Sequence, residues 1–385
     1  MGVPFIFKSP FESFARDLTA AAIRDELDPV SCRDKEIERV ITTLLRQSKN
    51  NPVLLGEAGV GKTAVVEGLA QRIMAGAVPP ALKSARILSL SHLDLIAGTT
   101  FRGQYERRLQ ALINEASNDP DIILFIDELH NLIGAGSAFG QPLDAANMLK
   151  PALAGGRIRV IGATTESEYS TYIQSDAALE RRFQPIRIDE LAREATLQVL
   201  RTRKPRLEIH HVVNIRESAL ETAEALSSHY LPNRKQPDRS IDLLDETCAL
   251  LQLRQNLELP EVLVSLKHKW ERLHAAERQT IEAMLKAVEA KGTPLERFSR
   301  GTFKVFEAVG LGVEKFLTGQ TTPRAPLPMP DSVRRFQESD PAGLITKLHC
   351  ARLLLEDRLR EAITACGRDI DAEHVRQTVV ESNSQ

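Results

Sequence analysis

The chain has 385 residues, enough for two or three domains of ordinary size. Its 42% hydrophobic and 26% charged fractions suit a globular protein, and 50 basic against 52 acidic side chains leave a formal charge of −2. No excess of positive charge points to nucleic acid or an anionic membrane surface, and no apolar run approaches the roughly 18 residues of a membrane span.

The cysteines, Cys32, Cys248, Cys350 and Cys366, are too scattered for a disulfide framework or a zinc site. Met1 to Lys8 lacks a basic stretch followed by a long apolar core, so no signal peptide is read and the expected compartment is cytoplasmic.

In chain order, residues 11–30 read as a polar, helix-compatible lead-in, and Arg33 to Glu36 opens an amphipathic helix. Its apolar positions Ile37, Val40, Ile41, Leu44 and Leu45 repeat at helical spacing. Pro52 to Leu55 is an apolar strand that runs into Gly56-Glu57-Ala58-Gly59-Val60-Gly61-Lys62-Thr63, with a helix from Ala64 to Met74 behind it. G-x-x-x-x-G-K-T between a strand and a helix is a phosphate loop. Its glycines let successive N–H groups face phosphate oxygens at the positive end of a helix dipole. Lys62 supplies charge to the β- and γ-phosphates of a nucleotide, and the Thr63 hydroxyl is placed for Mg²⁺.

Arg86 to Leu90 reads as the next strand and Leu109 to Ala116 as a helix. Ile122 to Ile126 is a strand apolar throughout, as expected of one buried in a parallel sheet, and it ends in Asp127 and Glu128. Asp127 at that strand end can hold Mg²⁺, directly or through water, while Glu128 can orient or deprotonate an attacking water. Arg157 to Thr165 is another buried strand, in which Thr165 or its neighbour Thr164 could reach a γ-phosphate. A helix closes at Arg181, Arg182 and Phe183 before a last strand, Pro185 to Ile188. The paired arginines are either a solvated face or a finger donated to a neighbouring subunit's nucleotide.

Glu190 to Leu253 is patterned as a small helical domain. Leu263, Leu266, Trp270, Leu273, Ile281, Leu285 and Val288 continue at helical spacing, with Glu277 interrupting the seam. That pattern predicts a short helical hairpin or a helix packed on the body. The proline- and glycine-rich stretch 292–332 reads as a linker in its later part, and Gly343 to Glu381 returns to helix with a turn near Gly367. The expected domains are a linker over 1–27, a large α/β unit over 28–190, a helical lid over 191–255, an insertion and linker over 256–342, and a helical remainder over 343–385. The fold class is α/β, with a parallel five-stranded sheet flanked by helices.

Taken together, these segments resemble the first nucleotide-binding module of the Clp/heat-shock AAA+ unfoldases. The likeness runs through Phe11 to Arg33, Lys49 to Thr63, Gly98 to Glu106, Leu143 to Asn147, Gly162 to Thr165, Ala177 to Phe183, Pro237 to Glu246 and Ile370 to Glu381. It implies an ATP- and Mg²⁺-dependent ring, usually a hexamer, that draws protein substrate through its centre. By resemblance, Phe101 is the gripping aromatic of the first pore loop, with Gly98, Arg102 and Gly103 around it, and Gly134 to Pro142 is the second. Arg181 and Arg182 fall on the trans-acting pair, Val30 on the adenine side, and Asp238 and Arg239 on the lid residues near the nucleotide.

Val30-Ser31-Cys32-Arg33 stands where the family has Val-Ile-Gly-Arg, a departure that would alter the fit to the base. Neither an amino-terminal recruiting domain nor a second module is expected. The peptidase-docking loop of some relatives belongs to that second module, so no peptidase partner is expected. The alternative reading is an ATP-gated regulatory or adaptor subunit that does not thread substrate. A loader-type ATPase on DNA would want a basic surface and is disfavoured.

Overall fold

The computed structural model describes residues 11, 14–97, 102–134, 145–254, 261–290, 341–367 and 369–382. The chain divides into one unit of Met1–Ala22 with Arg33–Asp189 and another of Ile23–Cys32 with Glu190–Gln385.

The first unit is built on β1 (Ala15–Asp17), β2 (Asn51–Leu55), β3 (Arg86–Leu90), β4 (Ile122–Ile126), β5 (Arg159–Thr164) and β6 (Phe183–Arg187). They lie in the order β1-β3-β4-β5-β2-β6. The five strands expected from the sequence pair in parallel. Every residue of β2 and β4 is buried, which explains why Pro52–Leu55 and Ile122–Ile126 read as unbroken apolar runs. Asn51, buried at the start of β2, makes the sheet's polar cross-ties: its Oδ1 accepts from the Val160 amide at 2.8 Å and its Nδ2 donates to the Arg182 carbonyl at 3.3 Å.

The sixth strand corrects the reading of 11–30 as helix-compatible throughout. β1 runs antiparallel to β3, with Ala15 opposite Leu90 and Asp17 opposite Leu88. Arg86 fastens this edge by donating to Asp17 Oδ2 from Nε at 3.1 Å and Nη2 at 2.9 Å. Three residues are too few to show a strand period, so only the exposed edge of β3 could select this conformation.

Around the sheet run α1 (Leu18–Ile23), α2 (Asp34–Leu44), α3 (Lys62–Met74), α4 (Arg102–Asn118), α5 (Leu129–Gly134), α6 (Ala145–Ala154) and α7 (Ala177–Glu180). Leu109, Leu112, Leu129, Leu153 and Ile173 pack with Val53, Leu88 and Leu124 in one apolar core.

The second unit contains α8 (Arg193–His211), α9 (Glu217–Tyr230), α10 (Asp238–Arg254), α11 (Glu261–Ala290), α12 (Pro341–Ala365) and α13 (Ala372–Ser382). Two-residue strands β7 (Asn214–Ile215) and β8 (Asp369–Ile370) pair in parallel and bring the end of the chain onto the lid. Ile370, Val375 and Val379 accordingly share a core with Leu200, Leu220, Leu243 and Cys248.

Residues 261–290 form one unbroken helix rather than a short hairpin within that stretch. This helix, α11, runs antiparallel to α12 in a longer hairpin, with Leu263 near Leu359 and Ile363. Glu277, read as a break in the apolar seam, is buried inside the hairpin. Its carboxylate accepts from Arg352 Nε at 2.8 Å and lies 2.7 Å from His349 Nδ1. Arg352 also donates to Asp25 at 2.9 Å, and Arg206 donates to both Asp25 and Asp28, so the segment 23–32 is held in this unit by ion pairs.

Candidate nucleotide site

Register places the site. Leu55 of β2 pairs with Thr164 of β5, and Gly162 of β5 pairs with Ile126 of β4. β2 and β5 therefore finish level and β4 ends two residues short of them, and the residues after them, Gly56, Asp127 and Thr165, open on the same end of the sheet. Glycine in β5 is part of this arrangement: a Cβ on Gly162 would stand 2.5 Å from a Leu129 methyl. The first residue of α5 thus packs directly on the strand, next to Glu128.

Gly59 and Gly61 hold φ angles of 83° and 94°, the left-handed region that lets the loop wrap. No side chain caps the first turn of α3, which leaves that turn to bind an anion. Lys62 Nζ donates to the Gly56 carbonyl at 2.8 Å and the Glu57 carbonyl at 2.9 Å. Burial lowers the Lys62 pKa, and Asp127, Glu168, Glu57 and Glu128 oppose that shift.

The Thr63 hydroxyl donates to Asp127 Oδ2 at 3.0 Å, while Asp127 Oδ1 accepts from the Glu128 amide at 3.0 Å. A hydroxyl and a carboxylate in contact are the hard oxygen donors that a Mg²⁺ ion prefers, so these residues fit the expected metal. Glu128 is exposed, with φ at 50°, and its Oε2 accepts from Asn131 Nδ2 at 2.7 Å.

Thr165 caps the turn Glu166–Glu168 in a reciprocal capping box. Its hydroxyl donates to Glu168 Oε2 at 2.7 Å, and the Thr164 hydroxyl reaches the same oxygen at 3.0 Å. His130 Nδ1 lies 3.0 Å from the Thr164 hydroxyl and 3.1 Å from Glu168. Burial raises the Glu168 pKa, but hydrogen bonds from Thr165 and Thr164, with the His130 charge, hold it below the ordinary range. His130 and Glu168 escaped the sequence reading, although the spacing T-x-x-E over Thr165 to Glu168 carries the signature of a capping box.

Arg181 is exposed and Arg182 half-buried, and neither guanidinium has an ion pair among the described residues. Val30, Asp238 and Arg239 belong to the second unit. There Arg239 pairs with Glu190 at 3.1 Å, and Asp238 opens α10. A Cβ added at Gly103 would meet nothing within 4 Å among the described residues, and the Gly103 carbonyl accepts from Arg107 Nε at 2.8 Å. Gly98, Phe101 and most of the second pore loop lie outside the described residues. No helix among the described residues is long and apolar enough to cross a membrane.

A phosphate loop on an inner strand, an acidic strand end two strands away and a helical lid define the AAA+ class of P-loop proteins. The sequence matches the ATPase family associated with various cellular activities (AAA) over residues 52–189 and the AAA lid domain over residues 192–293. It is 48% identical over 289 residues to the chaperone protein ClpB of Aquifex aeolicus, covering 75% of this chain and 28% of that one. The ClpB of Oceanobacillus iheyensis is 42% identical over 367 residues, covering 93% and 45%. The negative regulator of genetic competence ClpC/MecB of Bacillus subtilis is 50% identical over 258 residues, covering 67% and 32%.

Among solved structures, the S. cerevisiae Hsp104-ADP complex aligns with a TM-score of 0.60 at 38% identity, covering 72% of this chain and 52% of that one. The Hsp104:casein complex in its extended conformation gives 0.59 at 37%, covering 73% and 52%. The chain belongs to the Clp-type AAA+ family. It spans less than half the length of these curated relatives.

Proposed function

We propose that this chain is a Mg²⁺-dependent ATPase that remodels or unfolds protein substrates as a subunit of a ring, usually a hexamer in this family. The observation that carries the reading is the 3.0 Å contact between Thr63 and Asp127, with Lys62 and Glu128 adjoining it. Phosphoryl transfer asks mainly for positioning and charge stabilisation, and each required group is present. Residues 56–63 cradle the phosphates, Lys62 lies against the β- and γ-phosphates, and Thr63 with Asp127 holds the metal. Mg²⁺, when bound, neutralises charge that develops on the phosphates.

Glu128 orients the attacking water and accepts its proton. Thr165 acts at the γ-phosphate, with Glu168 and His130 fixing its strand end. Arg181 and Arg182, without an ion pair among the described residues, are available to a neighbouring copy's nucleotide. By resemblance, Val30 serves the base side, Asp238 and Arg239 the lid side, and Gly98, Phe101, Arg102 and Gly103 the substrate-gripping loop.

The chaperone relatives and the casein-bound neighbour support polypeptide as the substrate class. No peptidase or nucleic-acid partner is proposed. The test is ATPase activity per molecule against protein concentration, with Glu128→Gln and Arg182→Ala alongside. A steep rise with concentration, abolished by both substitutions, is the expected result. Wild-type activity that stays flat at background while ATP still binds would overturn the ring ATPase.

A further inference from the structure

Arg33 buries its guanidinium in the first unit, only 4% exposed. Its Nη2 donates to two backbone carbonyls, Val60 at 2.6 Å and Asp189 at 2.9 Å, and its Nη1 donates to Glu36 Oε1 at 2.9 Å. The positions of these partners matter. Val60 lies inside the phosphate loop, Arg33 is the residue at which the chain returns to the first unit after first leaving it at Ala22, and Asp189 is the residue at which it leaves for the second time.

A second set of contacts runs beside the first. The Ile188 amide donates to the Leu55 carbonyl at 2.8 Å, and a Cβ on Gly56 would lie 2.6 Å from the Ile188 carbonyl oxygen. The loop's entry is thereby seated on residue 188, and its Val60 carbonyl is tied through Arg33 to residue 189.

We infer that Arg33 is a positioning residue that couples the shape of the phosphate loop to two of the three points where the chain passes between its units, 32/33 and 189/190. The reason lies in the peptide plane. In a trans peptide the C=O and the following N–H point in opposite directions. Fixing the Val60 carbonyl on the guanidinium therefore fixes the direction of the Gly61 N–H, one of the amides assigned to phosphate. A displacement at 189 or 33 turns that amide, and a phosphate bound to the amide resists the displacement. Only a planar, several-donor cation reaches two carbonyls and a carboxylate at once, so lysine is not an equivalent substitute. The role in phosphate binding rests on the ATPase reading above, whereas the mechanical tie does not.

The test is hydrogen–deuterium exchange on the full chain with and without ADP, together with titration of a fluorescent ADP analogue. In the wild type, ADP should slow exchange at 187–190 and 33–36 as well as at 57–63. Protection confined to the loop would overturn the coupling, and this comparison needs no variant. Arg33→Lys should speed exchange at both places and weaken analogue binding about tenfold, the scale of a lost charge-assisted hydrogen bond. Glu36→Gln, which keeps both carbonyl contacts, should stay within about twofold of wild type on the same scale.

If Arg33→Lys lowers the unfolding temperature but leaves loop exchange and affinity unchanged, Arg33 is only a structural anchor and the inference fails. If wild type binds no nucleotide while Arg33→Lys still loosens both places, the ATPase reading fails and the mechanical tie stands.

Discussion

The side-chain amide of Asn131 donates to Glu128 Oε2 at 2.7 Å, one turn along the chain, while the Glu128 backbone holds a left-handed φ of 50°. A non-glycine residue in that region costs on the order of 1–3 kcal/mol, and such strain tends to gather at functional sites. Here it falls on the carboxylate assigned to the attacking water. Glu128→Gln should bind ATP with near wild-type affinity and hydrolyse it roughly 10²- to 10⁴-fold more slowly, the usual span for a lost acid–base group. Asn131→Ala, which frees the carboxylate, should lower kcat about three- to tenfold with KM unchanged. Steady-state kinetics with a parallel binding titration checks both, and full turnover by Glu128→Gln would remove that residue from the chemistry.

Gly56 has no room for a side chain. An added methyl would meet the Ile188 carbonyl oxygen at 2.6 Å and a Val60 methyl at 2.9 Å, so either the loop or the end of β6 must move. Gly56→Ala is expected to destabilise the protein by about 1–3 kcal/mol, in line with other overpacked sites. Nucleotide binding should weaken more than that loss of stability alone explains. Thermal unfolding and nucleotide titration of the same preparation separate the two effects.

Arg352 and Glu277 are each about as buried as core side chains, with 6% of either side chain exposed. Removing one partner strands the other's charge. Arg352→Met should therefore cost about 3–5 kcal/mol, whereas the double change Arg352→Met with Glu277→Leu should recover much of it. Chemical denaturation of the full chain, read as a double-mutant cycle, gives the answer. Additive losses would show that the pair is not coupled.

The same hairpin makes stability sensitive to acid. Burial raises the Glu277 pKa, but hydrogen bonds and charge from His349 and Arg352 outweigh it and hold the carboxyl below its ordinary range. Burial and then the Arg352 charge hold His274 below its ordinary value, against the opposing pull of Asp25 and Glu277. For both groups the unfolded chain binds more protons than the folded one, so stability falls with pH. The His274 contribution fades as pH drops below the ordinary histidine value. The Glu277 contribution follows as pH drops from the ordinary glutamate range through the lowered folded value. Unfolding temperature against pH should show both stages, and His274→Phe should flatten the upper one.

Much of the site was legible because its chemistry is local. The span Gly56 to Thr63 must be a loop before a helix whatever surrounds it, and Ile122 to Ile126 has only apolar side chains to bury. The strand starting at Arg86 and the helix ending at Met74 follow from the same patterning. Other features were illegible because each needs a partner far away in the chain. Ala15 to Asp17 is a strand only because β3 offers an edge, and Glu277 is a core residue only because Arg352 lies across the hairpin.

The sequence by itself determined the phosphate loop, the acidic strand end, the parallel strands and the helical lid, since all are written in contiguous residue types and periods. Only the tertiary structure decided that Thr63 meets Asp127, that Glu168 gathers Thr164, Thr165 and His130, and that Arg33 holds the Val60 carbonyl. Contacts of this kind depend on the register of neighbouring strands and on where a buried charge finds oxygen. Neither has a signature within a few residues of sequence.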